Sequence, residues 1–364
     1  MPKTRLARRA LVGLNVAVAV ALVTTSSVSA YVAWRLRQID RVDIDGGAPE
    51  SDPGGAVNIL VVGSDSRAVV DPSERRAFGT EAQAGGKRTD TILVVRVDPR
   101  ERRTAILSIP RDLWVPIMGT GSVNRVNAAF AGGPKRLVAT VSNALDIPID
   151  HYVELDFKTF RNVVDSLSGV DYYFATPVRD RYTGLDIRTP GCVHLDGNAA
   201  LDLVRSRHHL TYRNGQWQED PRQDFGRIER QQQFMRLVLR KALVAARNPL
   251  TLNSLFADVT ADLTVDDEFE FDEMREMATR LRSLAPEDVE MLAVPATAGW
   301  AGNDSVVYID EPAARPILER FSGRPPTVRA VTTTTTARRG RSTSTTAATA
   351  PPPTTTTTVA SAAC

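Results

Sequence analysis

Three short apolar runs, each cut off by a turn residue, most constrain what this chain can fold into. Asn58-Ile59-Leu60-Val61-Val62 stops at Gly63, residues 91–97 stop at Asp98-Pro99, and residues 104–109 stop at Pro110. Predominantly apolar runs of this length predict buried strands. Asp98-Pro99-Arg100-Glu101 predicts a hairpin turn between the second and the third. Further strands are expected at 151–155, 170–174 and 289–294. Between them the apolar period lengthens to that of a helix. In 134–145, Leu137, Val138, Val141 and Leu145 share one face behind Pro134. Helices are also predicted over 157–167, 198–207, 225–247, near 271–284 and near 312–320. Strands interleaved with helices give an α/β (α+β) fold, one domain with a mixed central sheet flanked by helices.

That domain is expected to span 57–322, with other segments before and after it. Lys3, Arg5, Arg8 and Arg9 precede an uncharged run over 10–34, about the 20 residues a transmembrane helix needs. The reading is a cytoplasmic segment 1–9, a signal anchor 10–34, a polar linker 35–56 and everything later outside the cytoplasm. Val28-Ser29-Ala30 also resembles a signal-peptide cleavage site, and that alternative exports the chain equally. Residues 323–364 are a Thr/Pro-rich tail without the apolar content for a core, expected to be disordered. An exported chain is free to form disulfides. A bridge between Cys192 and Cys364 is not favoured, because Cys364 ends that tail.

Charge excludes one class of partner. The 45 Lys+Arg nearly cancel the 43 Asp+Glu, which gives no support to nucleic-acid binding. No Cys-x-x-Cys occurs, and His208-His209 are adjacent rather than on one helix face, so neither pattern makes a metal site.

Arginine and aspartate instead collect beside the turns. Asp65 follows the Gly63 turn, in Gly63-Ser64-Asp65-Ser66-Arg67; Asp90 opens the next strand, in Arg88-Thr89-Asp90-Thr91. Two carboxylates on neighbouring strand ends suit Mg²⁺, which takes one or two carboxylates plus phosphate oxygens. Each alone reads equally as a turn residue satisfying its own backbone. Arg111 leaves the third strand in Ser108-Ile109-Pro110-Arg111-Asp112, either aimed over the same edge or held in a surface ion pair with Asp112. Arg205 and Arg207 are two apart and would diverge by roughly 200° on a helix. If both meet one anion, the helix must end near Val204 and the chain continue extended, with 208–211 as loop. Asp224 is the expected N-cap of the next helix, where Arg227, Arg230 and Gln231 share a face near an anion-favouring N-terminus. Taken singly, Arg230 and Gln231 read as a solvated helix face.

These motifs, together with Val126-Asn127-Ala128-Ala129-Phe130 and Leu195-Asp196-Gly197 in the same order, closely resemble the LytR–CpsA–Psr family. The resemblance runs over about residues 57–246. It implies a membrane-anchored, extracytoplasmic phosphotransferase that moves a glycopolymer from a polyprenyl-pyrophosphate carrier to peptidoglycan, with Mg²⁺ at the site. It places the metal on Asp65 and Asp90 and the pyrophosphate on Arg111, Arg205, Arg207 and Arg227. Arg67, Arg88 and Gln231 follow as substrate-binding candidates. It also implies an apolar tunnel for the membrane lipid, lined by the helices over 134–145, 157–167 and 225–243. Two other readings use the same residues: a hydrolase acting on the lipid-linked substrate, and a non-enzymatic polyprenyl-pyrophosphate-binding regulator.

Overall fold

In a computed structural model of the chain, the described residues are 39–44, 55–64, 89–98, 104–220, 223–245, 263–270, 273–274, 276–277, 284–285, 288–323 and 364. The predicted membrane segment 10–34 and most of the helix near 271–284 lie outside them. Among the described residues no helix is long and apolar enough to cross a membrane.

The chain opens with β1 (Asp40–Val42), β2 (Val57–Ser64), β3 (Thr89–Val97) and β4 (Thr104–Ile109). A hairpin of β5 (Trp114–Ile117) and β6 (Ser122–Arg125) and a 3-10 segment, Val126–Gly132, lead into α1 (Pro134–Leu145). Next come β7 (His151–Asp156), α2 (Phe157–Ser166), β8 (Val170–Phe174), β9 (Val178–Asp180), β10 (Leu185–Ile187) and β11 (Gly191–Leu195). Then α3 (Gly197–Arg205), β12 (Leu210–Arg213), β13 (Gln216–Glu219) and α4 (Gln223–Ala245) follow. The last elements are β14 (Leu263–Asp266), β15 (Val289–Ala293), β16 (Ala296–Ala301), β17 (Asp304–Ile309) and α5 (Glu311–Phe321).

The central sheet has seven strands in the order β1-β14-β7-β2-β3-β4-β15. It is mixed: β2 runs parallel to β7 and antiparallel to β3, while β4 runs parallel to β15. The three apolar runs are therefore the adjacent strands β2, β3 and β4, and the middle of the sheet is buried on both faces. Side-chain alternation separates those faces. Leu60 and Val62 of β2 and Ile92 and Val94 of β3 join the larger core with Leu137, Val138 and Val141 of α1. Ile59 and Val97 turn to the opposite face with Val265 and Phe269. A separate core forms where Val164, Tyr172, Phe174, Leu203 and Phe234 bring α2, β8, α3 and α4 together. Most apolar residues proposed above to line a lipid tunnel are thus packed in these cores, Phe234 at 1% exposure among them.

Helix α1 matches its predicted bounds, starting with Pro134 at N1 and ending at Asp146, whose φ of 53° is left-handed. Three expectations change. The segment read as linker contributes β1, which pairs in parallel with β14 at the sheet edge, so the folded unit takes in residues before 57. Leu210 and Thr211, the end of the 208–211 stretch read as loop, open β12; its ladder with β13 turns at Asn214 and Gly215, both at positive φ. That is the two-residue hairpin chemistry of an Asn-Gly pair. Finally, Cys192 and Cys364 form a disulfide with Cα atoms 5.6 Å apart.

Candidate active site

The predicted motifs converge on one end of the central sheet. β2 ends at Ser64, which pairs with Thr89 of β3 on one side and with Asp156 of β7 on the other. A register shift between Gly63 and Ser64 bends the strand there. Asp90 stands one residue along β3 from Thr89, and Asp65 is the next residue after Ser64. The described residues next to those two positions, Ser64 and Thr89, are therefore cross-strand partners. Asp65, Arg67 and Arg88 lie outside the described residues, and of Asp90 only the backbone is described. Thr89 tightens the edge: its hydroxyl donates to the Gly63 carbonyl at 2.9 Å. Ser64 is fully buried, and its Oγ has no hydrogen-bond partner among the described residues.

Arg111 leaves β4 from the same end, since Ile109 is paired with Ile92, two residues along β3 from Asp90. Its Nε donates to Asp112 Oδ2 at 3.1 Å. The side chains are only 13% and 20% exposed, so the predicted ion pair forms at a half-buried place rather than on the surface. Arg125 approaches the other carboxylate oxygen at 3.7 Å.

Arg205 reaches this edge from the second core. Its guanidinium lies over the Phe157 ring, 4.6 Å from the centroid. Phe157 is the first residue of α2 and directly follows Asp156, the partner of Ser64. Asp156 also caps that helix, accepting from the Thr159 amide at 2.7 Å. The carboxyl coupled to Arg205 is Asp202, one turn earlier on α3. Burial, opposed by Arg205 and reinforced by Asp196 and Asp180, pushes its pKa up to about 6.

The divergence expected of Arg205 and Arg207 is resolved as the spacing required. Helix α3 ends at Arg205, one residue beyond the expected Val204, and Ser206 turns extended at ψ 111°. Ser206 is fully buried between an exposed Arg207 and a half-buried Arg205. Five groups hold this turn. Gln231 donates its amide to the Val204 carbonyl at 2.8 Å. Ser206 Oγ donates to Asp180 Oδ2 at 2.8 Å, and the His208 amide donates to the same oxygen at 2.9 Å. Arg230 donates to the Ser206 carbonyl at 3.1 Å and to Asp220 Oδ2 at 2.7 Å. The Asp220 amide in turn donates to the His209 carbonyl at 3.0 Å.

Two expectations are corrected here. Arg230 is 7% exposed and Gln231 half-buried, so neither sits on a solvated helix face. Helix α4 begins at Gln223, which puts Asp224 inside it rather than at the N-cap; Arg227 falls in its opening turns, with only its backbone described. Gly226 explains how α4 comes so close: a Cβ there would collide with the Asp220 carboxylate. Asp180, Asp220 and Phe157 are the working residues that motif reading missed, while Ser206 and Arg230 stood inside its motifs without these roles. One clue was present, a glycine placed four residues before an arginine in an otherwise helical run.

No group of three or more His, Cys, Asp or Glu able to hold a metal occurs among the described residues. A Mg²⁺ ion shared with phosphate oxygens needs only one or two carboxylates; of the two expected here, Asp65 lies outside the described residues and Asp90 is described in its backbone alone.

A turn bearing Arg205 and Arg207, locked beside the end of a mixed, helix-flanked sheet, sets the candidate site in an α+β domain. The chain belongs to the LytR-CpsA-Psr family, whose model matches residues 20–322. It is 34% identical over 235 residues to "Probable cell wall biosynthesis protein LcpB" of Corynebacterium glutamicum, covering 64% of this chain and 53% of that protein. It is 36% identical over 175 residues to the polyisoprenyl-teichoic acid–peptidoglycan teichoic acid transferase TagU of Bacillus subtilis, covering 47% and 52% respectively. The chain thus spans about half the length of these relatives. Among solved structures, the LytR-Csp2A-Psr enzyme from Actinomyces oris superposes with a TM-score of 0.62 at 29% identity, over 78% of this chain and 96% of that one. TagV of Bacillus subtilis shares the fold, with a TM-score of 0.57 at 24% identity over 75% and 99% of the two chains.

Proposed function

We propose that this chain is a membrane-anchored, extracytoplasmic phosphotransferase that moves a glycopolymer from a polyprenyl-pyrophosphate carrier to peptidoglycan. The observation that carries the reading is the Arg205–Ser206–Arg207 turn, fixed by Asp180, Arg230 and Gln231 beside the strand ends that bear Asp90 and precede Asp65. Fixed guanidinium forks suit pyrophosphate oxygens, and a fork held before the substrate arrives needs little reorganisation during reaction. The transferase names of relatives such as TagU support the reaction class. The disulfide supports an oxidising compartment, hence export, and the uncharged run over 10–34 supplies the anchor.

In this reading Arg111, Arg205, Arg207 and Arg227 grip the pyrophosphate, with Arg67, Arg88 and Gln231 beside them. Gln231 acts through the Val204 carbonyl, keeping Arg205 at the helix end. A muramic-acid 6-hydroxyl of the acceptor attacks the sugar-proximal phosphorus; the new P–O bond forms as the phosphoanhydride P–O bond breaks, polyprenyl phosphate leaves with the bonding pair, and the hydroxyl proton passes to solvent. Mg²⁺, held by Asp65 and Asp90, would neutralise charge on the phosphoryl oxygens. Full-length protein supplied with Mg²⁺, a polyprenyl-pyrophosphate-linked glycan and peptidoglycan should yield phosphodiester-linked polymer, and Arg111→Ala should abolish it with the fold intact. Release to water despite available acceptor would replace transferase with hydrolase. Tight binding without turnover would leave only a lipid-binding regulator.

A further inference from the structure

The hairpin β12–β13 occupies the stretch of chain between Arg207 and α4, which carries Arg227, so it joins the two arms of the proposed fork. Its rings, Tyr212 and Trp217, are joined by Tyr182 of the β9–β10 turn and His208, just before β12. Tyr182 is 77% exposed, and its ring lies 4.5 Å from that of His208, the residue after Arg207. His208 Nδ1 is 3.6 Å from Glu219 Oε1 at the end of β13. Glu219 is the cross-strand partner of Leu210, and Leu210 is the partner of Arg179 on β9. The Arg179 guanidinium lies over the Trp217 ring at 4.1 Å, and Trp217 faces its partner Tyr212 at 5.2 Å. These six side chains form one strip leading outward from the fork.

The strip is held, not loose. Asp180, 1% exposed, accepts from the Tyr182 amide through Oδ1 at 2.9 Å and from the His208 amide through Oδ2 at 2.9 Å. The buried carboxylate that locks the arginine turn therefore also fixes both residues of the outermost ring pair. An exposed aromatic whose backbone is pinned in this way is prepared for a ligand, because less ordering remains to be done on binding.

We propose that this strip is the docking surface for the neutral N-acetylhexosamine strand of the acceptor glycan, an inference that rests on the transferase reading. Ring faces take the C–H faces of pyranoses, while the carboxylate and guanidinium between them take hydroxyl and acetamido groups. The strip's own charges, Glu219 and Arg179, offset one another, so its recognition rests on ring faces and hydrogen-bonding groups that suit a neutral sugar strand. Tyr182 with His208 and Trp217 with Tyr212 give two ring platforms, with Glu219 beside the first and Arg179 beside the second.

The test uses full-length protein and chitotetraose, a neutral β-1,4-linked N-acetylglucosamine tetramer, titrated by calorimetry. Wild type should bind it saturably. Tyr182→Ala and Trp217→Ala should each weaken binding about tenfold, as loss of an aromatic anchor does, while Tyr182→Phe should bind like wild type. In the transfer assay the same two alanine variants should raise acceptor KM about tenfold, with kcat, donor KM and melting temperature unchanged. Failure of wild type to bind chitotetraose, equal binding by the alanine variants, or a shift in donor KM alone would overturn the proposal. Strip-dependent binding by a protein that transfers nothing would keep the surface and remove the transferase reading. Transfer indifferent to both substitutions would do the reverse.

Discussion

Removing one partner of the Asp220–Arg230 pair should destabilise this protein more than removing both. The two side chains are 7% and 9% exposed and meet at 2.7 Å. In Arg230→Met the carboxylate stays buried without its cation, a class of change that costs about 3–5 kcal/mol. The Ser206 carbonyl also loses its 3.1 Å donor, worth about 1 kcal/mol more. Against a typical total of about 5–15 kcal/mol, that loss is large. Asp220→Leu strands the guanidinium and should cost a similar amount. The double variant Asp220→Leu/Arg230→Met leaves no buried charge and fills the space with apolar atoms, so it should fall within about 1–2 kcal/mol of wild type. Urea unfolding of all four proteins, followed by tryptophan fluorescence, closes the cycle. Transfer activity should separate from stability: the double variant still lacks the bond to Ser206, so it should fold well and transfer poorly. Additive costs in the double variant, or a single variant within about 0.5 kcal/mol of wild type, would refute the reasoning.

Other substitutions probe separate parts of the molecule. His151 is buried between Asp266, 3.2 Å from Nδ1, and Glu273, 3.1 Å from Nε2, with Phe269 stacked at 4.1 Å. Burial works against its charge, but hydrogen bonds and attraction from Asp266 and then Glu273 outweigh it and raise its pKa above the ordinary 6.5. The stabilisation should be fully present below about pH 6.5 and lost as pH rises through the raised value, and His151→Gln should flatten that loss in denaturation curves. Arg96→Met should cost about 1–3 kcal/mol by thermal or urea unfolding, because Arg96 donates to buried Asn58 Oδ1 and to the Phe321 carbonyl that ends α5. Arg205→Lys should raise donor KM with little change in melting temperature, since lysine loses both the fork and the planar stack on Phe157. Donor affinity equal to wild type would remove Arg205 from the fork.

What could be read from the sequence followed the strength of the local signal. β2, β3, β4 and α1 announce themselves because their apolar residues must fill two faces of a sheet and one face of a helix. The strands β9, β10, β12 and β13 are three or four residues long and largely polar, and the β9–β12 ladder that joins their two hairpins pairs residues distant in the chain. The Asn214-Gly215 turn was their one local signal. At the site, the two-residue spacing of Arg205 and Arg207 was enough to end a helix. It said nothing of Asp180, which lies 26 residues from Ser206 in sequence, or of the pairing that buries Arg230. Buried polar partners leave no periodicity, so only geometry reveals them.

The disulfide has a consequence in topology rather than energy. By joining Cys192 to Cys364 it closes 172 residues of separation into a covalent ring that contains α3, the β12–β13 hairpin, α4 and α5. The last residue of the chain is fixed to β11, opposite Tyr173 of β8, on the strand that runs into α3 and Arg205. A single proteolytic cut anywhere inside that ring releases no fragment until the bond is reduced, whereas a cut before Cys192 breaks the covalent path from the N-terminal residues to Arg205.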